Sequence, residues 1–466
     1  MAVVGTVLAL AAGSFAALWP GYALYDTVGQ FRQALSGHYE DWHPPAMARL
    51  WALLHGWFGG GGGPMLALQL GLYWLGFGLL ADALVATGKR ATAMAVLLLA
   101  CSPLALGWQA AILKDSQLLG ALVAATGLIA AQTLRERRLT LPHIVPLALL
   151  FAYALAVRSN AVFAVVPLLV FLAPRPVGLA AKLLAIAVFS LAIIAAEPFV
   201  NHRLLAASAS GVEKTQPLYD LAAIGLTFPA DSPFTPKELA AIKAKACVKP
   251  FFWDPLGDEV ACGHQAERLQ AEEPGTLYRL WAKAIVAHPL AYAKHRLAHW
   301  NSTERWLIPP GRIGAEPPAV STDNPYGLTA PTSGLSQAIQ HAGAAEAGTP
   351  LGWPMFWTFL AVVAAPFAWA RRNDPAAGLA LALAASAIGL EASFLIVSIA
   401  SDLRYHLWAM TASALAVILL ASGFRLSRGR AGLLLFALAG LVAAGLNSRA
   451  SLPTAPTTYR AMIDTP

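Results

Sequence analysis

Apolar runs of about 20 residues recur along this chain, separated mostly by short turns that carry basic residues. Runs of that length are sufficient to cross a ~30 Å hydrocarbon core as helices. They fall at about 3–18, 65–86, 92–112, 116–133, 143–157, 161–173, 177–199, 352–370, 376–400, 405–423 and 431–446. The pattern predicts an all-α polytopic membrane protein with about eleven transmembrane helices. Nothing after the first run resembles a cleavage site, so that run reads as a retained span.

Two long stretches interrupt the alternation. From Tyr25 to Pro45 the chain reads YDTVGQFRQALSGHYEDWHPP, a polar loop with a His-Pro-Pro corner. Beyond it, Met47, Leu50, Trp51, Leu54, Trp57 and Phe58 share one helical face with Arg49 and His55 opposite, which predicts an interfacial helix with its tryptophans at headgroup level. The second interruption, 200–350, is rich in Pro, Asp, Lys and His and reads as an extracytoplasmic domain. Within it, Thr235-Pro236-Lys237-Glu238 is a capping box starting a helix that runs to about Ala246, a second helix covers 276–287, and His288-Pro289 breaks it before a stretch, 290–306, that returns along the membrane surface. Cys247 and Cys262 both fall in this domain, where an oxidising compartment favours a disulfide and a reducing one leaves two thiols. The chain thus divides into an N-terminal membrane module (1–199, with the first outer loop and its interfacial helix at 24–63), the outer domain (200–350), C-terminal membrane helices (351–447) and an outer tail (448–466).

Charge fixes the expected orientation. Hydrophobic residues make up 57% of the chain and charged ones 12%, with a net charge of +7. The basic residues form no dense tract with interleaved aromatics, so no nucleic-acid partner is expected. They cluster instead at Lys89-Arg90, Arg135-Arg137-Arg138, Arg175 with Lys182, Arg371-Arg372 and Arg425-Arg428-Arg430. Alternation puts all of these turns on one side, and the positive-inside rule makes that side cytoplasmic, together with the N-terminus.

The remaining ionisable groups in or beside spans map to the opposite face: Asp26, Asp41 and His43 in the first loop, Lys114-Asp115 before the fourth span, Arg158, Glu197, and Asp402 with Arg404. Such groups are costly near hydrocarbon and usually face a hydrated cavity. Carboxylates mixed with cations suit a site that binds an anion and moves a proton. Each residue also has a plainer reading. Asp115 fits an N-cap with Lys114 reaching the interface, His43 fits a loop stiffener before Pro-Pro, and Arg158 and Arg404 fit lipid headgroups. Glu391, midway through a span, fits either a helix–helix partner or part of the cavity. No Cys/His pattern of metal-site spacing is present.

An acid just after the first span, His43-Pro44-Pro45 in the same loop, Lys114-Asp115, Arg158-Ser159-Asn160 and a late outer loop together resemble the C-type (GT-C) superfamily of membrane glycosyltransferases. The likeness covers roughly 1–200 and the stretch near Ser401 to Tyr405. It is greatest to bacterial polyprenyl-phosphate-sugar-dependent members related to protein mannosyltransferases and to the lipid A aminoarabinose transferase. One departure concerns the first motif: many members have two adjacent acids there, whereas this chain has Tyr25-Asp26 and its next acids at Glu40-Asp41. That leaves open whether Asp26 or Asp41 is the base and whether a divalent metal takes part.

The resemblance implies a GT-C-like bundle in a bacterial inner membrane that transfers a sugar, with inversion, from a polyprenyl-phosphate donor to a cell-envelope glycan, lipid or protein acceptor outside the cytoplasm. Asp26 is implied as catalytic base. Lys114, Arg158 and Arg404 are the implied phosphate ligands, Asp115 holds Lys114 or contacts the sugar, Asp41 and His43 complete the acceptor pocket, and Asp402 and Tyr405 join the substrate site. No organic cofactor is implied. Two other classes fit the many spans: a polymerase or ligase of lipid-linked polysaccharide, expected to depend on outer-loop arginines and a histidine, and a lipid or glycan transporter, expected to show inverted repeats. The sequence shows no such repeat.

Overall fold

The computed structural model describes residues 2–173, 177–423 and 427–464. Arg175 and Arg425 of the basic turns lie outside them. Among the described residues the protein is helical, with no β-strand beyond isolated bridges. Six helices are long and apolar enough to cross a membrane: Gly63–Ala86, Lys114–Thr133, Leu179–Leu204, Pro375–Ser393, Leu403–Ala421 and Arg428–Ser451. This is the architecture of a multi-pass membrane protein. The expected single span at 92–112 is instead two helices, Arg90–Ala100 and Pro103–Gln109, bent by 53°. Ser102 caps the second piece by accepting the Ala105 N–H, and Pro103 occupies its first position, where no donor is lost. Four shorter apolar helices, Val3–Leu18, Leu141–Val157, Ser159–Leu172 and Pro354–Ala370, accompany them.

Glycines set the closest packing. A Cβ at Gly76 would come 2.2 Å from the Val123 carbonyl oxygen, and one at Gly127 would come 2.3 Å from that of Gly76. Helices Gly63–Ala86 and Lys114–Thr133 therefore touch backbone to backbone, which small residues permit where hydrocarbon surrounds a bundle. Pro375–Ser393 packs against 162–172, 354–370 and 407–421, with Gly389 against the Phe163 carbonyl. By contrast, the apolar windows of Leu179–Leu204 and Arg428–Ser451 are only 11% and 6% buried, so these helices present their side chains outward.

The stretch expected to be a polar loop begins with a helix, Tyr25–Ser36. Its inward face is Thr27, Gln30, Phe31 and Ala34, a helical spacing that polar composition conceals. Gly37, at φ 71°, ends it and returns its N–H to the Gln33 carbonyl. Phe31 packs on Trp51, with ring centroids 4.8 Å apart, and so fixes the following helix, Ala46–Phe58. Trp51 is consequently buried in protein, its indole donating to the Gly61 carbonyl, whereas Trp57 and Phe58 are the exposed members of that face.

Residues 215–303 carry a second apolar core, including Tyr219, Phe234, Ile242, Leu256 and Leu277. The Thr235 capping box starts a helix that ends at Ala244, and Cys247 and Cys262 form a disulfide. After the break at His288, Pro289–Thr303 buries one face, with Arg296 and His299, and leaves Leu290 and Leu297 exposed on the other. Trp300 donates to the Glu391 carbonyl and the Arg296 guanidinium takes the Phe394, Leu395 and Ser398 carbonyls. Those carbonyls are free because the helix predicted to reach residue 400 stops at Ser393. Arg296 thus pins the irregular stretch that leads to Arg404.

Candidate functional site

Three helix starts converge at one end of the bundle. Asp26 opens Tyr25–Ser36, Lys114 and Asp115 open Lys114–Thr133, and Arg404 lies in the turn Leu403–His406 that opens Leu407–Ala421. Acids in first turns sit favourably at the positive ends of helices. Arg404 is the hub: its guanidinium lies 3.0 Å from Asp26, 3.1 Å from Asp402 and 3.8 Å from Asp115. Asp115 is nearly inaccessible and is also paired with Arg158, whose Nε donates to Asn160 Oδ1 at 2.8 Å. The Tyr405 ring underlies both arginines, 4.3 Å from Arg158 and 5.2 Å from Arg404.

Lys114 turns inward to His43, with Nζ 2.5 Å from Nδ1. An ammonium only donates, so Nδ1 accepts and a neutral His43 carries its proton on Nε2, which faces Asp26 Oδ1 at 3.5 Å. Burial and Lys114 both lower the His43 pKa, against the pull of Asp26, so the ring is neutral near pH 7. Burial acts to raise Asp26, but Arg404 above all, with His43 and Lys114, outweighs it and holds the carboxyl well below the ordinary carboxylate range. Asp26 is therefore an ionised acceptor fixed on two sides by donors.

A cleft of about 340 Å³ opens onto this carboxylate, lined among others by Tyr25, Asp26, Trp108, Glu316, Asp402 and Arg404. Tyr25 is 83% exposed at its rim, whereas Trp108 is buried with its indole on the Ala315 carbonyl. Carboxylates, a guanidinium and aromatic rings lining one cleft can accept and donate hydrogen bonds to a polar ligand. Among the described residues, no group of three or more His, Cys, Asp or Glu is placed to hold a metal ion.

The structure thus gathers Asp26, His43, Lys114, Asp115, Arg158, Asp402, Arg404 and Tyr405. It does not bring in Asp41. That carboxylate accepts the Ser210 N–H and hydroxyl at 2.7 and 2.6 Å and faces His202 at 3.4 Å, tying the first loop to the stretch 202–210. The expected partnership of Asp115 with Lys114 is replaced by one with Arg158, and Lys114 does not reach for the interface. Arg404, shared among three acids, organises the site; among the described residues, Lys114 is the cation of the cluster without a carboxylate in ion-pair range.

A second group of ionisable residues lies deeper, of which only Glu391 stands out in the sequence. Glu391 Oε2 meets His406 Nδ1 at 2.6 Å, His406 Nε2 meets Thr303 Oγ1 at 3.2 Å, and Glu304 lies against Glu391 while accepting Thr358 Oγ1 at 3.1 Å. Burial, and then Glu391, push the Glu304 carboxyl well above its usual range. All three are sealed from solvent.

No family model, curated protein or solved structure matches this chain, so its function is argued from the site.

Proposed function

We propose that the protein is an integral-membrane glycosyltransferase that moves a sugar from a polyprenyl-phosphate donor to a lipid, glycan or protein acceptor at the outer face of a bacterial inner membrane. The observation that carries this reading is Asp26: an ionised, doubly anchored carboxylate at the floor of an open cleft, beside Lys114. In this reading the six long helices, the bent pair and the four shorter apolar helices make eleven spans, and 200–350 is an extracytoplasmic domain. A lipid-linked donor enters from the bilayer, and the cleft at the helix ends lies where its phosphate and sugar emerge.

A sugar on a lipid phosphate already has a good leaving group. The protein must then orient the acceptor, take its proton and stabilise the departing phosphate. Asp26 accepts the proton of the acceptor hydroxyl, whose oxygen bonds to the anomeric carbon as the carbon–phosphate-oxygen bond breaks. Attack from the face opposite the phosphate inverts the centre. Lys114 is the point charge for the phosphate, whereas Arg404 and Arg158 hold Asp26, Asp115 and Asp402 in place. The charges gather at one end of the bundle rather than at its midplane, which favours transfer at an interface over transport. The deciding experiment is transfer of labelled sugar from a polyprenyl-phosphate donor in proteoliposomes by wild type and Asp26→Asn: activity in the first and loss in the second supports the reading, and equal activity removes Asp26 from it.

A further inference from the structure

The cleft has a wall whose support comes from an unexpected place, the segment that follows the last long helix. After Ser451 the chain does not leave the molecule. The Ala455 N–H donates to the Pro310 carbonyl at 2.9 Å, the Tyr459 hydroxyl donates to Asp254 Oδ2 at 2.7 Å, and Arg460 lies 3.4 Å from Asp258. Met462 and Ile463 are buried with Phe252 in a small apolar cluster of their own, against Ile313 and Ala400.

Each of those partners is a short step from the cleft. Ile313 precedes Gly314, and Ala400 precedes Asp402 and Arg404, all three of which line it. The two strips are bonded to each other: the Leu403 N–H donates to the Gly314 carbonyl at 2.7 Å. Phe252 bridges to Ala400, the Trp253 N–H donates to the Ile399 carbonyl at 2.9 Å, and the Ser401 hydroxyl donates to the Phe251 carbonyl at 2.5 Å. The fit is close, since a Cβ on Gly314, at φ +87°, would come 2.8 Å from Asp402 Oδ1. We propose that residues 452–464 form a strap that positions the Gly314–Asp402–Arg404 wall of the cleft, with Met462, Ile463 and Tyr459 as positioning residues.

Backbone hydrogen exchange on the full chain in detergent tests the strap without relying on any turnover, so its outcome is separate from that of the sugar-transfer assay. In Met462→Asp/Ile463→Asp, peptides covering Trp253 and Leu403 are expected to exchange about tenfold faster or more, with Lys114–Thr133 unchanged, because local opening follows lost burial. Met462→Leu/Ile463→Val should keep wild-type protection. Exchange that rises within 455–464 while Trp253 and Leu403 stay protected would overturn the proposal. Should the acidic variant also open Lys114–Thr133, Tyr459→Phe decides: faster exchange at Trp253 and Leu403 supports the strap, and wild-type exchange there rejects it.

Discussion

Two clusters of ionisable residues meet at Arg404 and His406, two positions apart in sequence, and they differ in access and in their cations. Around Arg404, acids and cations surround a cleft, and Asp402 keeps 38% of its side chain exposed. Around His406, Glu304 and Glu391 share a volume with no exposure above 2%. Burial, and then the neighbouring Glu391, drive Glu304 toward neutrality, whereas Arg404, with His43 and Lys114, outweighs burial and keeps Asp26 charged. A carboxylate's state is set here by the cations and the solvent around it.

The sharpest way to break this contrast is to remove one carboxylate from each cluster. Asp26→Asn keeps the shape and loses proton affinity, and sugar transfer should fall ~10²–10⁴-fold, the usual contribution of a general base. Glu391→Gln should leave transfer within a few-fold of wild type. A reversed ranking in the proteoliposome assay would exchange the roles assigned to the two groups.

Stability should show the opposite order. His406→Ala takes away the partner of both Glu391 and Thr303 and should cost about 2–4 kcal/mol, since each buried polar group left unpaired costs about 1–3 kcal/mol. Thermal unfolding in detergent measures it, and a loss no larger than that of Asp26→Asn would mean that the deep cluster holds little together.

Lys114→Gln is the next smaller test. It should weaken donor binding by about 1.5–3 kcal/mol, the range for a charge-assisted hydrogen bond. Titration with a non-transferable polyprenyl-phosphate analogue reads it directly. Unchanged affinity, with a loss from Arg158→Gln instead, would move the phosphate to the other side of Asp115.

The smallest expected effect lies at the strap. Burial raises Asp254 to about 6 even though it accepts from Tyr459. A carboxyl with a raised folded pKa holds more protons folded than unfolded, so its stabilising contribution is complete below about pH 4 and is lost as the pH rises through about 6. Asp254→Asn should flatten that part of the stability profile, by less than the about 3 kcal/mol that two pKa units represent, because solvent screens a partly exposed carboxyl. A profile identical to wild type would show that Asp254 does not titrate there.

The apolar runs made the membrane character legible, because a helix in hydrocarbon must be apolar over its whole length. Shared sidedness made Asp26, His43, Lys114 and Arg404 legible as a group. Pairings were not legible, since they depend on helix rotations of less than a turn: Lys114 and Asp115 are neighbours in sequence yet point to His43 and Arg158. Asp41 was grouped with the site for its charge, but two Ser210 donors draw it elsewhere. The helix at Tyr25–Ser36 was hidden by polarity, although Thr27, Phe31 and Ala34 at i, i+4 and i+7 mark its inner face. Glu304, Arg296 and His406 left no local signal, because their partners lie 15 to 103 residues away in other elements.

The glycine contact between Gly63–Ala86 and Lys114–Thr133 has a mechanical corollary. Two backbones in direct apposition leave no side-chain layer between them, and even a Cβ at Gly76 would meet the Val123 carbonyl. Lys114 and Asp115 stand at the head of that pair, whereas Arg404 stands in a short turn whose Leu403 N–H bonds the Gly314 carbonyl. The tighter contact should move less, so the distance between Lys114 and Arg404 is the coordinate along which to look for an opening that admits a bulky ligand.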